Sequence, residues 1–356
     1  MKNRISAIFL CIAMILSLCS CTFSFDNYSD ILPDTQPPEN TCLTVHYIDV
    51  GQGDSILLES NGDFALIDAG EKEYGPVVCD YLKAVGVDAI DYVIATHPHS
   101  DHIGGLADVI NSYDCKNFIT KETDSQTKTW MNVLTAVDKK DVNYIDAEVS
   151  DTYSFGEAQF EILGPCSDDY EEYNDYSVVI KATCGDTSFL FTGDAEKTSE
   201  KEMLSANTDL RADVLKVGHH GSTTSSSKAF LDAVNPNYAV ISCGRDNEYG
   251  HPHKETMQEL SRRGITIYRT DELSSVIAYS DKENITFTYV NTDKTVTTAT
   301  VYDEEKHGYI GNKNSKKFHR ADCSGAKDMS DKNKVVFETK EEAIKEGYSE
   351  CKTCNP

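Results

Sequence analysis

Residues 96–105 read T-H-P-H-S-D-H-I-G-G, which puts three histidines and one aspartate into six positions directly after the apolar run Tyr92-Val93-Ile94-Ala95. Side chains this polar, packed this densely, either face water or share a cation, because burying one without a partner is costly. The apolar run predicts a strand that ends at the cluster. His97 and His99, two positions apart, leave a strand end on the same side, whereas Asp101 and His102 follow in the turn and face a second point. Two adjacent divalent metals account for that arrangement. Farther along, Thr192-Gly193-Asp194 closes another apolar run. A carboxylate has two oxygens and can bridge two cations, so Asp194 is the candidate bridging ligand. In Gly218-His219-His220-Gly221-Ser222, neighbours at a strand end diverge, so one histidine faces the metals and the other points elsewhere. His219 is preferred as the metal-facing residue and His220 as the one behind it or on substrate, with the reverse left open.

The H-x-H-x-D-H-x-G-G run resembles the metal-binding signature of the metallo-β-lactamase superfamily. Pro98, Ser100 and Ile103 make it similar to the branch related to the hydrolase domain of ComEC-type DNA-uptake proteins. Matching words follow in order between residues 42 and about 280: I-D-V-G-Q-G-D-S at 48–55, L-I-D-A-G at 66–70, N-D-Y-S at 174–177, G-D at 193–194, V-G-H-H-G-S at 217–222 and N-E-Y-G-H-P-H at 247–253. The resemblance implies an α/β fold, an αββα sandwich with the metals at one edge of two packed sheets. It implies that His97, His99 and Asp194, with His219 or Asn174, hold one metal, and that Asp101, His102, Asp194 and His251 hold the other. A hydroxide between them would attack a phosphodiester or related ester, with His220 or His219 donating to the developing oxyanion or leaving group. Zinc is the default for such ligands, and manganese or iron suits the same site. Many superfamily members supply a third histidine within 168–176, where this chain has none. Asn174, Ser222 and His253 are candidate substrate contacts, His253 also being the weaker alternative to His251. Asp54 either orients a ligand histidine or caps its turn.

The elements that position these residues are legible from periodicity. A strand, glycine turn and second strand span 43–59, with a third strand at 64–67. A helix over 75–86 carries Val77, Val78, Tyr81, Leu82 and Val85 on one face and stops at Gly86. Further helices are predicted at 106–112, 198–206 and 254–263, and Trp130 is assigned to the core.

The chain of 356 residues carries a net charge of −26, unevenly spread. Residues 306–356 hold 11 Lys/Arg and 8 Asp/Glu, so the other 305 residues account for −29. An acidic body does not attract nucleic acid or anionic lipid nonspecifically, so a polyanionic substrate would have to be held by metal and local donors. Residues 1–20, with Lys2 and Arg4 before an apolar run, read as a lipoprotein signal peptide, and Leu18-Cys19-Ser20-Cys21 resembles a lipobox with Cys21 lipidated. Residues 21–41, rich in Asp and Pro, are expected to form a solvated tether. The hydrolase domain is expected at 42–290, a linker at 291–308 and a separate module at 309–356. In that module His319, Cys323, Cys351 and Cys354 suit a closed tetrahedral structural zinc, and the segment resembles the metal-binding domain of the Ada repair protein. Cysteine spacing elsewhere shows no framework, and Cys79 and Cys184 read as small buried apolar side chains. The expectation is therefore a monomeric, lipid-anchored metal-dependent hydrolase on the outer face of a bacterial membrane, acting on a phosphoester, nucleic acid or wall polymer. Its rivals are a wall-polymer or phosphorylcholine-type esterase and a noncatalytic surface binding lipoprotein.

Overall fold

Strands in the first half of the body are β1 (Leu43–Tyr47), β2 (Ile56–Ser60), β3 (Asp63–Ile67), β4 (Ala89–Ile94), β5 (Asp114–Thr120) and β6 (Asn143–Asp146). Their helices are α1 (Gly75–Val85), α2 (Ser100–Ile103), α3 (Leu106–Ser112) and α4 (Lys128–Lys139). The second half supplies β7 (Thr152–Phe155), β8 (Ala158–Gly164), β9 (Val179–Cys184), β10 (Thr187–Phe191), β11 (Val214–Lys216), β12 (Tyr238–Ile241) and β13 (Thr266–Arg269), with α5 (Lys197–Ser205), α6 (Lys228–Val234), α7 (Lys254–Arg262) and α8 (Thr270–Leu273). Then β14 (Val276–Ser280) and β15 (Ile285–Tyr289) return to the first sheet. The structure, a computed structural model, describes residues 32, 37–206, 208–290, 309–320, 326, 329, 331–337 and 340–351. Cys21 and the predicted signal and linker lie outside the described residues.

The period-two alternation of each strand builds three cores from two sheets. Ile56 and Leu58, Ala65 and Ile67, and Phe189 and Phe191 all point into the space between the sheets. Leu57 and Leu66, from the same strands, point outward under Val78, Leu82, Leu106, Val109 and Trp130. Leu190 points outward from the other sheet under Met203, Phe230, Leu231 and Leu260. The result is the expected αββα sandwich: an eight-stranded sheet ordered β15-β14-β1-β2-β3-β4-β5-β6 against a seven-stranded sheet ordered β13-β12-β11-β10-β9-β8-β7. α1 runs as anticipated and stops at Gly86, whose φ of 94° and amide bonds to the Leu82 and Lys83 carbonyls close the helix.

One expectation is corrected. Cys184 is not a lone apolar filler but is bonded to Cys42, 142 residues away. Cys42 immediately precedes β1 and Cys184 ends β9, so the bond ties one sheet to the other, beside the Thr187–Ser280 hydroxyl contact at 2.6 Å. Closing a loop of that length constrains the unfolded chain strongly, so Cys42→Ser with Cys184→Ser should cost roughly 2–4 kcal/mol. Thermal melts of the double variant, and of the parent under reductant, check this; unchanged melting in both would show that the bond contributes nothing. Cys79, by contrast, is free and packs against the helix-side core, but is only half-buried.

The C-terminal unit is a four-stranded sheet built from β16 (Tyr309–Asn312), β17 (Lys317–Arg320), β18 (Lys334–Phe337) and β19 (Ser349–Glu350), with helix α9 (Lys340–Lys345). Tyr309, Phe318, Phe337, Ala343 and Tyr348 form its small core.

Candidate metal centre

Parallel strand ends deliver the site. β3 and β4 are parallel with Ile67 opposite Ile94, so Asp68 and Thr96 leave the sheet side by side. Thr96 donates to Asp68 from its amide at 2.9 Å and from its hydroxyl at 2.6 Å. His102 Nδ1 lies 2.8 Å from Asp68 Oδ2, and because a carboxylate can only accept, the ring carries its proton there and turns Nε2 toward Asp194. His97 is buried, with Nδ1 near the Thr96 and Ser177 hydroxyls and Nε2 3.0 Å from Nδ1 of half-buried His99.

From the other sheet, β10 and β11 are parallel with Phe191 opposite Lys216. The chain leaves β10 through Gly193 and presents buried Asp194, whose amide donates to Ser177 Oγ at 3.0 Å. The expectation that His219 and His220 diverge is corrected. Both adopt left-handed backbone, with φ of 50° and 53°, a conformation that non-glycine residues rarely take and that concentrates at functional sites. That double turn brings both Nε2 atoms toward Asp194 Oδ2, at 3.6 Å for His219 and 3.5 Å for His220. His220 is the deeper: its Nδ1 sits 3.0 Å from the Ser242 carbonyl and 3.3 Å from Asp54 Oδ1, and its Nε2 lies 3.2 Å from Asp101 Oδ2. His219 is partly exposed, with Nδ1 held between Thr224 Oγ1 at 3.0 Å and Glu196 Oε1 at 3.2 Å.

Asp54 reaches His220 because Gly53 lets the turn close on Asp101. At Gly53 φ is +136° and an added Cβ would meet Asp101 O at 2.1 Å, whereas the Asp54 amide instead donates to that oxygen at 3.2 Å. Its other carboxylate oxygen lies 2.8 Å from Lys216 Nζ, both groups fully buried. Burial alone would raise the Asp54 carboxyl, but the Lys216 ammonium and His220 hold it down at about 2. Asp54 thus stands behind His220, with the Oδ1 that faces the ring buried without a hydrogen-bond partner.

The residues fit divalent cations. His102 Nε2 and Asp194 Oδ1 lie 3.2 Å apart, yet neither makes a hydrogen bond, and both are buried without a hydrogen-bond partner. Ligand atoms of Asp54, His102, Asp194 and His220 all lie within 4.8 Å of one another. Four carboxylates gather here, Asp68, Asp101 and Asp194 about the His102 ring and Asp54 on the Lys216 ammonium. Burial opposes a charge on His102, but Asp194, Asp101 and Asp68 outweigh it and raise that imidazole well above its usual value. Burial likewise disfavours ionised Asp194, and His220 and His102 overcome this and hold it well below the carboxylate range. The cluster, in short, calls for added positive charge. His251 is suited to ligation for the opposite reason: burial first, then His220 and His219, lower it to about 4, which keeps the ring neutral, and its Nδ1 is buried without a hydrogen-bond partner.

An open cleft of about 330 Å³ exposes this cluster, with His99, Asp101, Asn174, Asp194, His219 and His251 in its wall. Asn174 donates to Glu196 Oε1 at 3.1 Å and keeps a buried Oδ1 unpaired. The other two candidate substrate contacts are corrected, since neither lines the cleft. Ser222 turns its hydroxyl into its own loop, 3.0 Å from Thr224 Oγ1, and His253 Nδ1 accepts from the Thr223 amide at 3.0 Å. Sequence reasoning gave no role to Asp68 or Lys216. A positive φ of 56° at Asp68, a non-glycine residue closing a strand, is visible only in the fold.

In the C-terminal unit, β17 and β19 pair in parallel and the Cys351 amide donates to the Phe318 carbonyl at 2.9 Å. His319 and Cys351 therefore follow one another off neighbouring strands, both buried. Cys323 and Cys354 lie outside the described residues.

Residues 48–245 match the family described as the metallo-beta-lactamase superfamily, and residues 298–356 match the metal binding domain of Ada. ComE operon protein 3 of Bacillus subtilis is 32% identical over 259 residues, 68% of this chain and 33% of that protein. Recombination protein 2 of Haemophilus influenzae is 32% identical over 231 residues, 64% of this chain and 27% of that protein. Competence protein ComA of Neisseria gonorrhoeae is 29% identical over 241 residues, 67% of this chain and 32% of that protein. The chain thus spans about a third of the length of the curated relatives it matches. With its strand-end histidines and aspartates gathered at one edge of an αββα sandwich, the chain belongs to the metallo-β-lactamase superfamily, on the branch of these competence and recombination proteins.

Proposed function

We propose that this protein is a dinuclear metal-dependent phosphodiesterase, acting on nucleic acid at the outer face of a bacterial membrane to which lipid on Cys21 anchors it. The observation that carries this reading is the pair of facing, orphaned ligand atoms on His102 and Asp194 inside an open, carboxylate-rich cleft. His97, His99 and Asp194, with His219 or Asn174, would hold one cation, and Asp101, His102, His220, His251 and Asp194 are the donors for the other. Two divalent cations in such a site supply Lewis acidity and a nucleophile at neutral pH, and they favour hydrolysis of an ester with two oxygens to stabilise. The chain's own residues orient that chemistry: Asp68 fixes the His102 ring, Asp54 and the Ser242 carbonyl fix His220, and partly exposed His219 can pass a proton to a leaving oxygen. Relatives named for competence and recombination support DNA as the substrate, and the Cys42–Cys184 bond suits an exported protein.

The test is elemental analysis and turnover of residues 27–356 purified without lipid. Three metals per chain are expected, two in the cleft and one in the C-terminal unit. Hydrolysis of bis-p-nitrophenyl phosphate and of single-stranded DNA should disappear after chelation and return with zinc or manganese. One metal per chain and no turnover of either substrate would overturn the reading in favour of a binding lipoprotein.

A further inference from the structure

Tyr249 is 67% exposed, more than any other large hydrophobic side chain described in the hydrolase body, and it stands in the wall of the metal cleft. Its exposure is built. Asn247 cross-braces the loop, donating to the Gly244 and His251 carbonyls at 2.8 and 2.6 Å and accepting from the His251 amide at 2.9 Å. Gly250, at φ +71°, then turns the chain back. The phenol ring lies nearly parallel to His251, 20° between planes and 5.6 Å between centroids, so one face is covered by the imidazole. A flat aromatic surface fixed at the mouth of a cleft is a stacking platform, and nucleobases use such platforms whatever their identity.

The rest of the wall sharpens the point. No lysine or arginine is among the described residues lining the cleft, so neither is there to grip a phosphate chain. At about 330 Å³ the cleft is also at the small end of ligand pockets, with room for a single nucleotide unit. Resting on the phosphodiesterase reading above, we infer that Tyr249 stacks the base beside the scissile phosphate, and that the substrate is therefore an unpaired, base-bearing strand. Duplex DNA keeps its bases stacked on one another, and base-free wall phosphodiesters have nothing for the ring to hold.

The experiment compares an oligothymidylate with an abasic strand of equal length and with the same thymidylate in duplex. Binding is read by fluorescence anisotropy with calcium as a non-turnover metal, and KM and kcat are read with the activating metal, for the parent chain, Tyr249→Ala, Tyr249→Leu and Tyr249→Phe. The parent should prefer thymidylate over the abasic strand and over duplex by on the order of tenfold in Kd and KM. Tyr249→Phe should keep that preference, and Tyr249→Ala and Tyr249→Leu should lose most of it, chiefly through KM. Leucine still covers His251, so its loss of preference separates stacking from support of the imidazole. Equal binding of base-bearing and abasic strands by the parent, or preference retained in Tyr249→Leu, overturns the inference. Base-selective binding without turnover of any strand would instead leave the platform standing and overturn the phosphodiesterase reading.

Discussion

Asp194→Ala should lower kcat/KM on bis-p-nitrophenyl phosphate by about a thousandfold or more and reduce the metals retained in the cleft. The expectation follows from position. Asp194 is buried, faces His102 through one oxygen and His219 and His220 through the other, and is the carboxylate that both sets of proposed ligands share. On the proposed arrangement its removal would withdraw one ligand from each cation and leave several imidazoles without their compensating charge. Asp68→Asn provides the scale for comparison. Asp68 touches His102 Nδ1 and Thr96, not the cleft, and partners that only orient a metal ligand typically cost 10- to 100-fold in affinity or activity. Asparagine keeps an acceptor oxygen for the His102 proton, so Asp68→Asn should fall within or below that range. Kinetics beside elemental analysis, with circular dichroism to confirm folding, would check both. An Asp194→Ala variant as active as Asp68→Asn would overturn the proposal that Asp194 is the shared ligand.

What the sequence displayed and what it hid differ in how far apart the participating residues lie. His97, His99, Asp101 and His102 fall within six positions on one strand end, so ligand density and spacing announced them. Alternation likewise exposed the strands, because Ile56, Leu57 and Leu58 go to opposite cores for the same reason in any sheet. Lys216 and Asp68 were hidden because their roles depend on parallel register, with Phe191 beside Lys216 and Ile67 beside Ile94, and register between distant strands has no local signature. The His219–His220 pair misled for a local reason: divergence holds for extended backbone, and two successive left-handed residues cancel it. Cys42 and Cys184 share nothing in sequence and meet only because β1 begins near where β9 ends, in opposed sheets. His319 and Cys351 were readable as candidate ligands by type, and the parallel pairing of β17 with β19 brings them to neighbouring positions.

Lys216 carries the largest expected effect on stability. Its ammonium is fully buried, 2.8 Å from Asp54 Oδ2 and 3.1 Å from the Val217 carbonyl, so Lys216→Met leaves the stem's packing nearly intact and strands a buried carboxylate. Breaking one side of a buried pair costs roughly 3–5 kcal/mol, most of it the penalty of the abandoned charge. In a body of this size that lowers the melting temperature by roughly 6–20 °C. Asp54→Asn removes the charge while keeping an oxygen near His220, so the double variant should recover more than half of what Lys216→Met loses, a coupling that two independent sites would not show. The melts belong in chelator, because a cation in the cleft would compensate the stranded carboxylate and mask the penalty. Recovery in the double variant would show that Lys216 serves to keep Asp54 ionised behind His220. Equal destabilisation of the single and double variants would instead assign the loss to packing around the lysine stem, and the Lys216–Asp54–His220 chain would then be neighbours without a common task.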